Sequence, residues 1–247
     1  MKHPFDIDDP KRLYEVITDP NRQDGLPHWP PGEMQKTYVG SNGPQLVSRS
    51  ISFLNILAKD GAFQDGWKGL DYACGFGRFA SLLTVRGKTS QLDLVDAWQR
   101  TLDLLPGLNI KNKYWLVSEM LQPGEIPSEH YSTMLAFSVF THLSNEAFLN
   151  NLDSLYTGLQ AGGTAYITVR HDEFADHKFS SEADEICSEL ARDGFWFRGN
   201  IGNRGKEPIF GDMIINKDYI DRLGARYSKV EYLGKPHDLQ HVYAIRK

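Results

Sequence analysis

Between Trp67 and Arg170 the sequence alternates short apolar runs with helix-like segments, and no other feature constrains the fold as strongly. The run over 131–138 has a continuous apolar centre, which is typical of strands buried in a parallel sheet. Strands that alternate with helices in this way predict a doubly wound, mostly parallel α/β sheet. The predicted strands cover 70–73, 91–95, 113–117, 131–138 and 164–170, and the helices between them cover 78–85, 98–105 and 144–159.

The regions on either side lack this alternation. Three prolines between residues 27 and 31 exclude a regular helix or a central strand there. Apolar positions near the 3.6-residue period predict an amphipathic helix over 45–57. Two closing strands can add an antiparallel strand to the sheet edge. Beyond Arg170 we predict helices around 181–192 and over 218–223, a loop rich in glycine and charge between them, and closing strands over 227–233 and 241–245.

Composition and charge exclude several functional classes. The 247 residues include only two cysteines, Cys74 and Cys187, which excludes a disulfide scaffold and a cysteine-rich zinc module. Histidine and acidic residues occur without metal-ligand spacing, so we predict no metal site. The net charge of −5 and the lack of a Lys/Arg cluster argue against a nucleic-acid partner.

No targeting signal is visible in the sequence. No run approaches the ~20 apolar residues of a transmembrane helix, and the N-terminal residues lack the apolar core of a signal peptide. We therefore expect a cytoplasmic protein without a membrane partner. The sequence leaves the oligomeric state open.

A glycine-rich segment joins the first predicted strand to the helix that follows it. Gly75 and Gly77 allow a tight turn and let a ligand approach the backbone, and the helix start offers free N–H groups to an anionic group. Asp96 ends the next strand, 19 residues after Gly77, where a carboxylate can accept hydrogen bonds from two ribose hydroxyls. The segment therefore predicts a site for a nucleoside-bearing cofactor.

Two cofactor classes fit a site of this kind. The spacing Gly-x-Gly-x-x-Ala from residue 75 matches the dinucleotide fingerprint, which keeps a nicotinamide-dependent oxidoreductase open. Against it, Asp71 lies inside the strand before the turn, where nicotinamide-binding folds usually carry apolar residues. The only Tyr-x-x-x-Lys pair available to such an oxidoreductase is Tyr243 with Lys247, in a candidate strand where this spacing does not align the side chains.

Four sequence blocks, in order and at suitable spacing, resemble the motifs of class I S-adenosylmethionine-dependent methyltransferases. Two departures occur: Ala73 stands where many members have glycine, and Ala161 stands where proline is usual. The blocks are Leu70–Arg78 for the glycine motif, Val95–Ala97 for the second-strand acid, Ala136–Leu143 for the segment after the fourth strand and Leu159–Thr164 for the turn before the fifth.

The resemblance implies a Rossmann-like, doubly wound, mostly parallel seven-stranded sheet with an antiparallel edge strand, an N-terminal cap and an inserted lid. Residues 1–65 would form the cap segment and its helix. Residues 66–247 would form the methyltransferase domain, with the lid inserted at about 171–215. The implied cofactor is S-adenosylmethionine, which leaves the reaction as S-adenosylhomocysteine (SAH).

The resemblance also implies roles for individual residues. Gly75 and Gly77 would pass under the methionine part of the cofactor, and Asp71 would orient the turn or bind the amino group. Asp96 would hold the ribose, with Ala97 and Trp98 flanking the adenine and residues 118–120 lining its other face. The full predicted cofactor set is Asp71, Ala73, Cys74, Gly75, Gly77, Arg78, Asp96, Ala97, Trp98, Ser118, Glu119, Met120, Phe137 and Phe140.

An alcohol acceptor must lose its proton during methyl transfer, which requires a base. The candidate bases are His142 and His171, which follow the fourth and fifth predicted strands at the cleft edge of such sheets. Tyr38, Arg170 and Trp196 are candidate substrate contacts.

The leading interpretation is a methyltransferase that acts on a small-molecule acceptor. We expect the accepting atom to be an oxygen of a sugar or secondary metabolite, because the chain lacks the Asn/Asp-Pro-Pro-Tyr-type motif used for amide and base nitrogens. Two alternatives stay open: a nicotinamide-dependent oxidoreductase, and a non-catalytic module that keeps the cofactor pocket.

Overall fold

The computed structural model describes residues 9–19, 21, 25–87, 91–199, 208–237 and 239–247. The chain divides into two compact units, Met1–Val117 and Ser118–Lys247. The cap predicted over 1–65 and the lid predicted at about 171–215 each include residues outside the described ranges, and both stay predictions. Most of the predicted loop rich in glycine and charge, residues 200–207, also lies outside those ranges.

In the described part of the first unit, three helices precede the strands. Asp9 accepts hydrogen bonds from the backbone N–H groups of Lys11 and Arg12 and so caps the first helix. Neither this helix nor the next was predicted from the sequence. The elements are α1 (Pro10–Thr18), α2 (Gly32–Val39), α3 (Gly43–Lys59), β1 (Gly69–Tyr72), α4 (Arg78–Val85), β2 (Leu92–Asp96), α5 (Gln99–Leu102), a 3-10 turn (Pro106–Leu108) and β3 (Tyr114–Leu116).

The strands of the first unit pair in parallel. Tyr72 of β1 lies opposite Val95 of β2, and Val95 lies opposite Trp115 of β3. Helix α3 packs against α1 and α4, and the rings of Phe53 and Phe79 lie 5.2 Å apart in that contact. The amphipathic helix predicted over 45–57 is confirmed, and it extends two residues further at each end.

The second unit carries the remaining strands and four helices of the described chain. Its elements are β4 (Tyr131–Ala136), α6 (Asn145–Gly158), β5 (Leu159–Val169), α7 (Glu173–Lys178), α8 (Ala183–Asp193), β6 (Phe195–Gly199), β7 (Gly211–Ile215), α9 (Lys217–Arg226), β8 (Lys229–His237) and β9 (Gln240–Arg246). Strand β4 pairs in parallel with β5, β9 runs antiparallel to β5, and β8 runs antiparallel to β9. Strands β6 and β7 form a separate antiparallel pair.

Seven of the described strands form one sheet, in the order β3-β2-β1-β4-β5-β9-β8. The predicted seven-stranded, mostly parallel sheet is therefore confirmed. The predicted antiparallel strand is β9, which runs opposite to β5, and β8 lies outside it at the edge of the sheet.

The region around residue 160 differs from the prediction. We expected a helix through residue 159 and a strand from residue 164, whereas α6 ends at Gly158 and β5 begins at Leu159. Leu159 pairs with Tyr131, and a register shift between Tyr131 and Thr133 accommodates the extra residues before Thr164. The start of the strand is set by its partner on β4, which no local pattern reveals.

Strands β6 and β7 have no counterpart in the predictions. They pair antiparallel, with Trp196 opposite Ile214. The chain between them is too long for the two-residue turn that signals a hairpin in a sequence. The pair therefore has no local signature.

One helix is shorter than predicted. We expected a helix over 98–105, but α5 ends at Leu102 and a 3-10 turn begins at Pro106. Proline removes a backbone donor and clashes with the preceding turn, so it favours an early end to the helix. No helix in the described ranges is long and apolar enough to cross a membrane.

Candidate functional site

The glycine turn, residues 73–77, connects β1 to α4. The Cys74 N–H donates to the carbonyl of Val95 at 3.0 Å, which ties the turn to the end of β2. The backbone enters the left-handed region three times in this short segment, which makes it a tight and specific turn. Positive φ angles of 58°, 56° and 73° occur at Ala73, Gly75 and Gly77.

The two glycines of the turn are required for different reasons. A Cβ on Gly77 would lie 2.3 Å from Cδ1 of Ile110 and 3.1 Å from Cδ2 of Leu105, so these packed side chains would have to shift to admit it. A Cβ on Gly75 would meet no atom of the described chain within 4 Å. Gly75 therefore borders open space and exposes backbone that a ligand can approach.

Asp96 joins the end of β2 to the glycine turn. Its Oδ2 accepts a hydrogen bond from the Gly75 N–H, and its Oδ1 accepts one from the Trp98 N–H, each at 2.9 Å. Burial raises the pKa of the Asp96 carboxyl, although the backbone hydrogen bonds oppose this effect. Each carboxylate oxygen offers two acceptor sites, so Asp96 can also accept hydrogen bonds from two hydroxyls.

A second carboxyl, that of Asp71, lies in β1 just before the turn. It is 1% exposed, and its Oδ2 has no hydrogen-bond partner among the residues that the structure describes. Burial raises the pKa of Asp71 to about 7, with Arg78 opposing and Asp96 adding to the rise. Burial also lowers the pKa of Arg78 to about 10, so this guanidinium stays charged at neutral pH. The free oxygen of Asp71 offers an acceptor to a cationic or N–H donor.

Cys74 is a buried free cysteine within the turn. Burial raises the pKa of its thiol well above the ordinary value, and the charges of Asp71 and Asp96 raise it further. The thiol is therefore protonated at neutral pH and is not a nucleophile. Elsewhere in the described part of the chain, no group of three or more His, Cys, Asp and Glu side chains is arranged to hold a metal ion.

The guanidinium of Arg100 contacts the rings of Trp98 and Tyr38, two predicted site residues that are far apart in the sequence. Its guanidinium carbon lies 4.6 Å from the ring centroid of Trp98 and 6.0 Å from that of Tyr38. Trp98 is 40% exposed, so its ring offers a surface for stacking. The structure thus places Tyr38 of α2 and Trp98, two positions after the second-strand acid, around the same guanidinium.

The segment before α2 packs against the glycine turn. The ring of Trp29 lies 5.6 Å from that of Phe76 in an edge-to-face arrangement. The backbone N–H of Trp29 donates to the carbonyl of Ile17 at 2.7 Å, and the backbone N–H of His28 donates to the carbonyl of Leu108 at 3.1 Å. These contacts support the turn from the N-terminal side of the first unit.

In the second unit, the loop at 118–120 is held by two polar residues that the sequence did not single out. Oε1 of Glu125 accepts hydrogen bonds from the N–H of Ser118 at 3.0 Å and from its Oγ at 2.8 Å. Asn151 donates to the carbonyl of Glu119 at 2.9 Å. The loop therefore has a defined shape, and its predicted adenine contacts stay predictions.

The two phenylalanines after β4 differ in their surroundings. Phe140 is 1% exposed, and its ring packs 4.9 Å from that of Phe148 in the core of the second unit. The ring of Phe137 lies 6.2 Å from that of His237. Between the two phenylalanines, Ser138 adopts a φ of 61°, which bends the chain and ends β4 earlier than predicted. The predicted cofactor contacts of both phenylalanines stay predictions.

His142 belongs to a buried network with Arg170 and Asp212. Its Nδ1–H donates to the carbonyl of Gly211 at 2.7 Å, and Nη2 of Arg170 donates to its Nε2 at 3.3 Å. Asp212 accepts from Nη1 of Arg170 at 2.8 Å and from Nζ of Lys178 at 2.6 Å. Burial lowers the pKa of His142 to about 4, and the charge of Arg170 lowers it further.

This network limits what His142 and Arg170 can do for a substrate. Both ring nitrogens of His142 have partners, and a pKa of about 4 makes its imidazole a weak base at neutral pH. The guanidinium of Arg170 also lies 3.9 Å from the ring centroid of Phe174. The predicted roles of His142 as base and Arg170 as substrate contact stay predictions, and the geometry favours a structural role for both.

His171 and Trp196 are also engaged within the second unit. The Nδ1–H of His171 donates to the carbonyl of Ile215 at 2.6 Å, and its Nε2 accepts from the hydroxyl of Tyr243 at 2.9 Å. Trp196 is 6% exposed and packs in an apolar cluster with residues of α7, α8 and β7. Their predicted roles as base and substrate contact stay predictions.

No family model matches the chain, and no curated protein matches its sequence. Among solved structures, the PH0226 protein from Pyrococcus horikoshii OT3 aligns with a TM-score of 0.57 at 13% identity, covering 95% of this chain and 96% of that one. DhpI in its complex with SAH aligns with a TM-score of 0.56 at 12% identity, covering 98% and 96%. The 1,6-didemethyltoxoflavin-N1-methyltransferase from Burkholderia thailandensis, with bound 1,6-didemethyltoxoflavin and SAH, aligns with a TM-score of 0.51 at 12% identity, covering 81% and 78%.

At these identities the likeness concerns the fold. It extends over nearly the whole chain in the first two cases, and it agrees with the strand order of the sheet. The fold that the four sequence blocks predict is thereby confirmed. The chain has the fold of the class I S-adenosylmethionine-dependent methyltransferases.

Proposed function

We propose that this protein is an S-adenosylmethionine-dependent methyltransferase that acts on a small-molecule acceptor. The observation that carries the proposal is the pair of 2.9 Å hydrogen bonds from the N–H groups of Gly75 and Trp98 to Asp96. They hold a carboxylate beside a turn whose backbone borders open space at Gly75. A nucleoside-bearing cofactor uses both features, because its ribose hydroxyls need an acceptor and the group attached to the ribose needs room.

The residues around the turn fit S-adenosylmethionine in several respects. Asp96 would accept the ribose hydroxyls, and the open side of Gly75 would accommodate the methionine part. Oδ2 of Asp71, which lacks a partner in the described chain, would accept from the ammonium group. The exposed ring of Trp98 offers a face to the adenine. DhpI and the Burkholderia thailandensis enzyme, which share the fold, hold SAH in their structures.

The bound cofactor would supply an activated methyl group on a positively charged sulfur. Because this methyl group is already activated, the main task of the protein is to position it against the acceptor. Asp96 would fix the ribose and Asp71 would fix the amino group. These two anchors, on either side of the sulfur, would restrict the orientation of its methyl group.

The acceptor that we propose is a hydroxyl group of a sugar or secondary metabolite. The chain carries a net charge of −5 and has no Lys/Arg cluster that would neutralise a nucleic-acid backbone. A hydroxyl acceptor requires a base, and the second unit places several histidines at or near the ends of its strands. Both observations support a small hydroxylated molecule.

The nicotinamide alternative lacks support from its candidate catalytic pair. The hydroxyl of Tyr243 donates to Nε2 of His171 at 2.9 Å, whereas the ammonium of Lys247 donates to the carbonyl of Thr157 at 3.4 Å. The two side chains thus have separate partners. The buried acid Asp71 in β1 also has no role in a nicotinamide site.

Isothermal titration with S-adenosylmethionine and SAH tests the proposal. The wild type should bind both with micromolar affinity. Asp96→Ala should weaken each by about 100-fold, because two hydrogen bonds to a charged carboxylate are lost. Asp103→Ala is the matched control, since Asp103 is an exposed acid of the same unit, bonded to Gln99, and its loss should leave both affinities unchanged.

NADH titrated into the same samples separates the alternatives. Binding of NADH without binding of S-adenosylmethionine would favour the oxidoreductase. Unchanged S-adenosylmethionine affinity in folded Asp96→Ala would remove the ribose assignment. A transfer assay with methyl-labelled S-adenosylmethionine and a panel of hydroxylated small molecules then distinguishes an enzyme from a non-catalytic module.

A further inference from the structure

A pair of histidines lies in the second unit at the carboxyl end of β5. His171 follows that strand closely in the chain, and His241 pairs with Val169 in the antiparallel register of β5 and β9. The centroids of the two imidazole rings are 4.2 Å apart. Ligands of doubly wound sheets bind beyond the carboxyl ends of the strands, so this pair is placed where it can act on a ligand.

His171 is the less available of the two. The carbonyl of Ile215 can only accept a hydrogen bond, so Nδ1 of His171 carries the proton and Nε2 presents its lone pair to Tyr243. Burial raises the pKa of Tyr243 to about 12, so its hydroxyl stays protonated and continues to donate at neutral pH. Both ring nitrogens of His171 are therefore engaged by other residues of the second unit.

His241 has the opposite arrangement. Its Nε2 lies 2.5 Å from Oε1 of Glu173, which also accepts from Nζ of Lys235 at 2.7 Å. Burial raises the pKa of Glu173, but the hydrogen bonds from Lys235 and His241 outweigh it and hold the pKa at about 2. Glu173 is thus a carboxylate and fixes the proton of His241 on Nε2. The lone pair on Nδ1 is the basic position, and no hydrogen bond to it occurs within the described ranges.

A carboxylate on one nitrogen of an imidazole orients the ring and stabilises the cation that forms when the other nitrogen takes a proton. Burial lowers the pKa of His241, with the Glu173 hydrogen bond opposing and the charges of His171 and Lys235 adding to the decrease. The imidazole of His241 is therefore neutral at neutral pH and able to accept a proton.

Tyr232 supplies an aromatic surface next to this pair. The register of β8 and β9 places it opposite Tyr243, with the two rings 5.4 Å apart, and its ring centroid lies 5.8 Å from that of His241. At 53% exposure, it is the most exposed large apolar side chain in the described part of the molecule. An open aromatic face beside a base suits a flat, hydroxylated ring.

We propose that His241, oriented by Glu173, and the ring of Tyr232 form the binding site of the methyl acceptor, and that this acceptor is a phenol. In the step that His241 performs, the phenol O–H bond breaks, the proton moves to Nδ1, and the oxygen keeps the electron pair as a nucleophilic phenolate. We use the name His241 site for Glu173, Tyr232 and His241 together with the neighbouring residues His171 and Tyr243. The inference rests on the proposed function and narrows its acceptor to an aromatic hydroxyl compound.

The probe for this site is 4-nitrophenol, because its phenolate absorbs visible light and its phenol form does not. Near the pH at which the free probe is half ionised, wild-type protein should generate an additional phenolate band on binding. His241→Gln should bind the probe without the band, and Glu173→Gln should reduce the band because the imidazolium loses its counter-ion. Tyr232→Ala should weaken binding about tenfold, whereas Tyr232→Phe should retain it.

His130→Gln removes an exposed histidine elsewhere in the second unit and should behave as wild type. Circular dichroism of each variant confirms that it is folded, and the conservative Glu173→Gln change keeps the side-chain volume. The proposal is overturned if the wild type generates no band, if His241→Gln generates it fully, or if Tyr232→Ala binds as tightly as wild type. S-adenosylmethionine titrated into the same wild-type sample tests the proposed function separately, because the phenol test needs no cofactor.

Discussion

The glycine turn and the His241 site differ in how the chain builds them. The turn consists of consecutive residues, and its hydrogen-bond partners at the end of β2, Val95 and Asp96, are brought to it by the parallel pairing of neighbouring strands. The His241 site takes its residues from the segment after β5 and from α7, β8 and β9, and the hydrogen bond between Glu173 and His241 spans 68 positions of sequence. A site made by a turn can therefore be found as a motif, whereas a site made by strand register cannot.

The largest effect is expected for a change in the second unit that should lower the stability of the protein without changing cofactor binding by the first unit. Asp212→Asn leaves the guanidinium of Arg170, whose side chain is 10% exposed, without its ion-pair partner, so the free energy of unfolding should fall by about 3 kcal/mol. S-adenosylmethionine affinity should not change. Urea unfolding and isothermal titration measure the two quantities. Asp221→Asn, which breaks an exposed pair with Lys217, is the control and should change neither. An affinity loss as large as the stability loss would contradict the separation.

The next prediction concerns packing at the turn. Gly77→Ala should lower the free energy of unfolding by about 2 to 3 kcal/mol, because a Cβ at φ 73° would be strained and would lie 2.3 Å from Ile110. Gly40→Ala has the same backbone strain, with φ at 72° and no atom of the described chain within 4 Å of the added Cβ. It should cost only about 1 kcal/mol. Equal losses for the two variants, measured by urea unfolding, would remove the packing argument.

The charge at the turn gives a prediction about pH. The folded pKa of Asp71, about 7, is above its ordinary value of 3.8, so between these values the folded protein holds a proton that the unfolded chain has lost. Asp71 therefore makes stability fall as pH rises through this window, by up to about 1.4 kcal/mol per pH unit. Asp71→Asn should flatten the fall, as measured by urea unfolding across the window. A slope that Asp71→Asn leaves unchanged would show that the pKa of Asp71 is not raised in the folded protein. The control is Asp103→Asn, which changes an exposed acid and should leave the slope as in the wild type.

The smallest predicted effect distinguishes the two glycines of the turn. Gly75→Ala adds a methyl group on the open side of the turn at a φ of 56°. It should cost only the backbone strain of about 1 kcal/mol expected for Gly40→Ala, but weaken S-adenosylmethionine binding by about tenfold, which corresponds to about 1.4 kcal/mol. Gly66→Ala is the matched control, with φ at 78° and an equally open surrounding in the described chain, and its affinity should match wild type. If Gly75→Ala binds normally, the open side of the turn is not where the cofactor lies.

Most of the fold could be predicted because its signals are local. The helix over Gly43–Lys59 shows an apolar stripe, and β1 and β2 show short apolar runs. The failures occur where a distant partner decides. Leu159 joins β5 because it meets Tyr131, and the β6–β7 pair depends on contacts between segments separated by a long connection.

The candidate site shows the same difference between local sequence signals and contacts with distant residues. The glycine turn and Asp96 could be found because their spacing is a motif. Glu125, Asn151 and Asp212 are single polar residues without motif spacing, and their roles in holding a loop or an arginine become visible only in three dimensions. His241 follows the same pattern, since nothing near it in the sequence points to Glu173.

The central claim is that Asp96, beside the glycine turn, holds the ribose of S-adenosylmethionine. A crystal structure of the protein grown with SAH tests this most directly. The account predicts both ribose hydroxyls within hydrogen-bond distance of the Asp96 carboxylate and the amino group next to Oδ2 of Asp71. A bound SAH whose ribose lies away from Asp96 would contradict it.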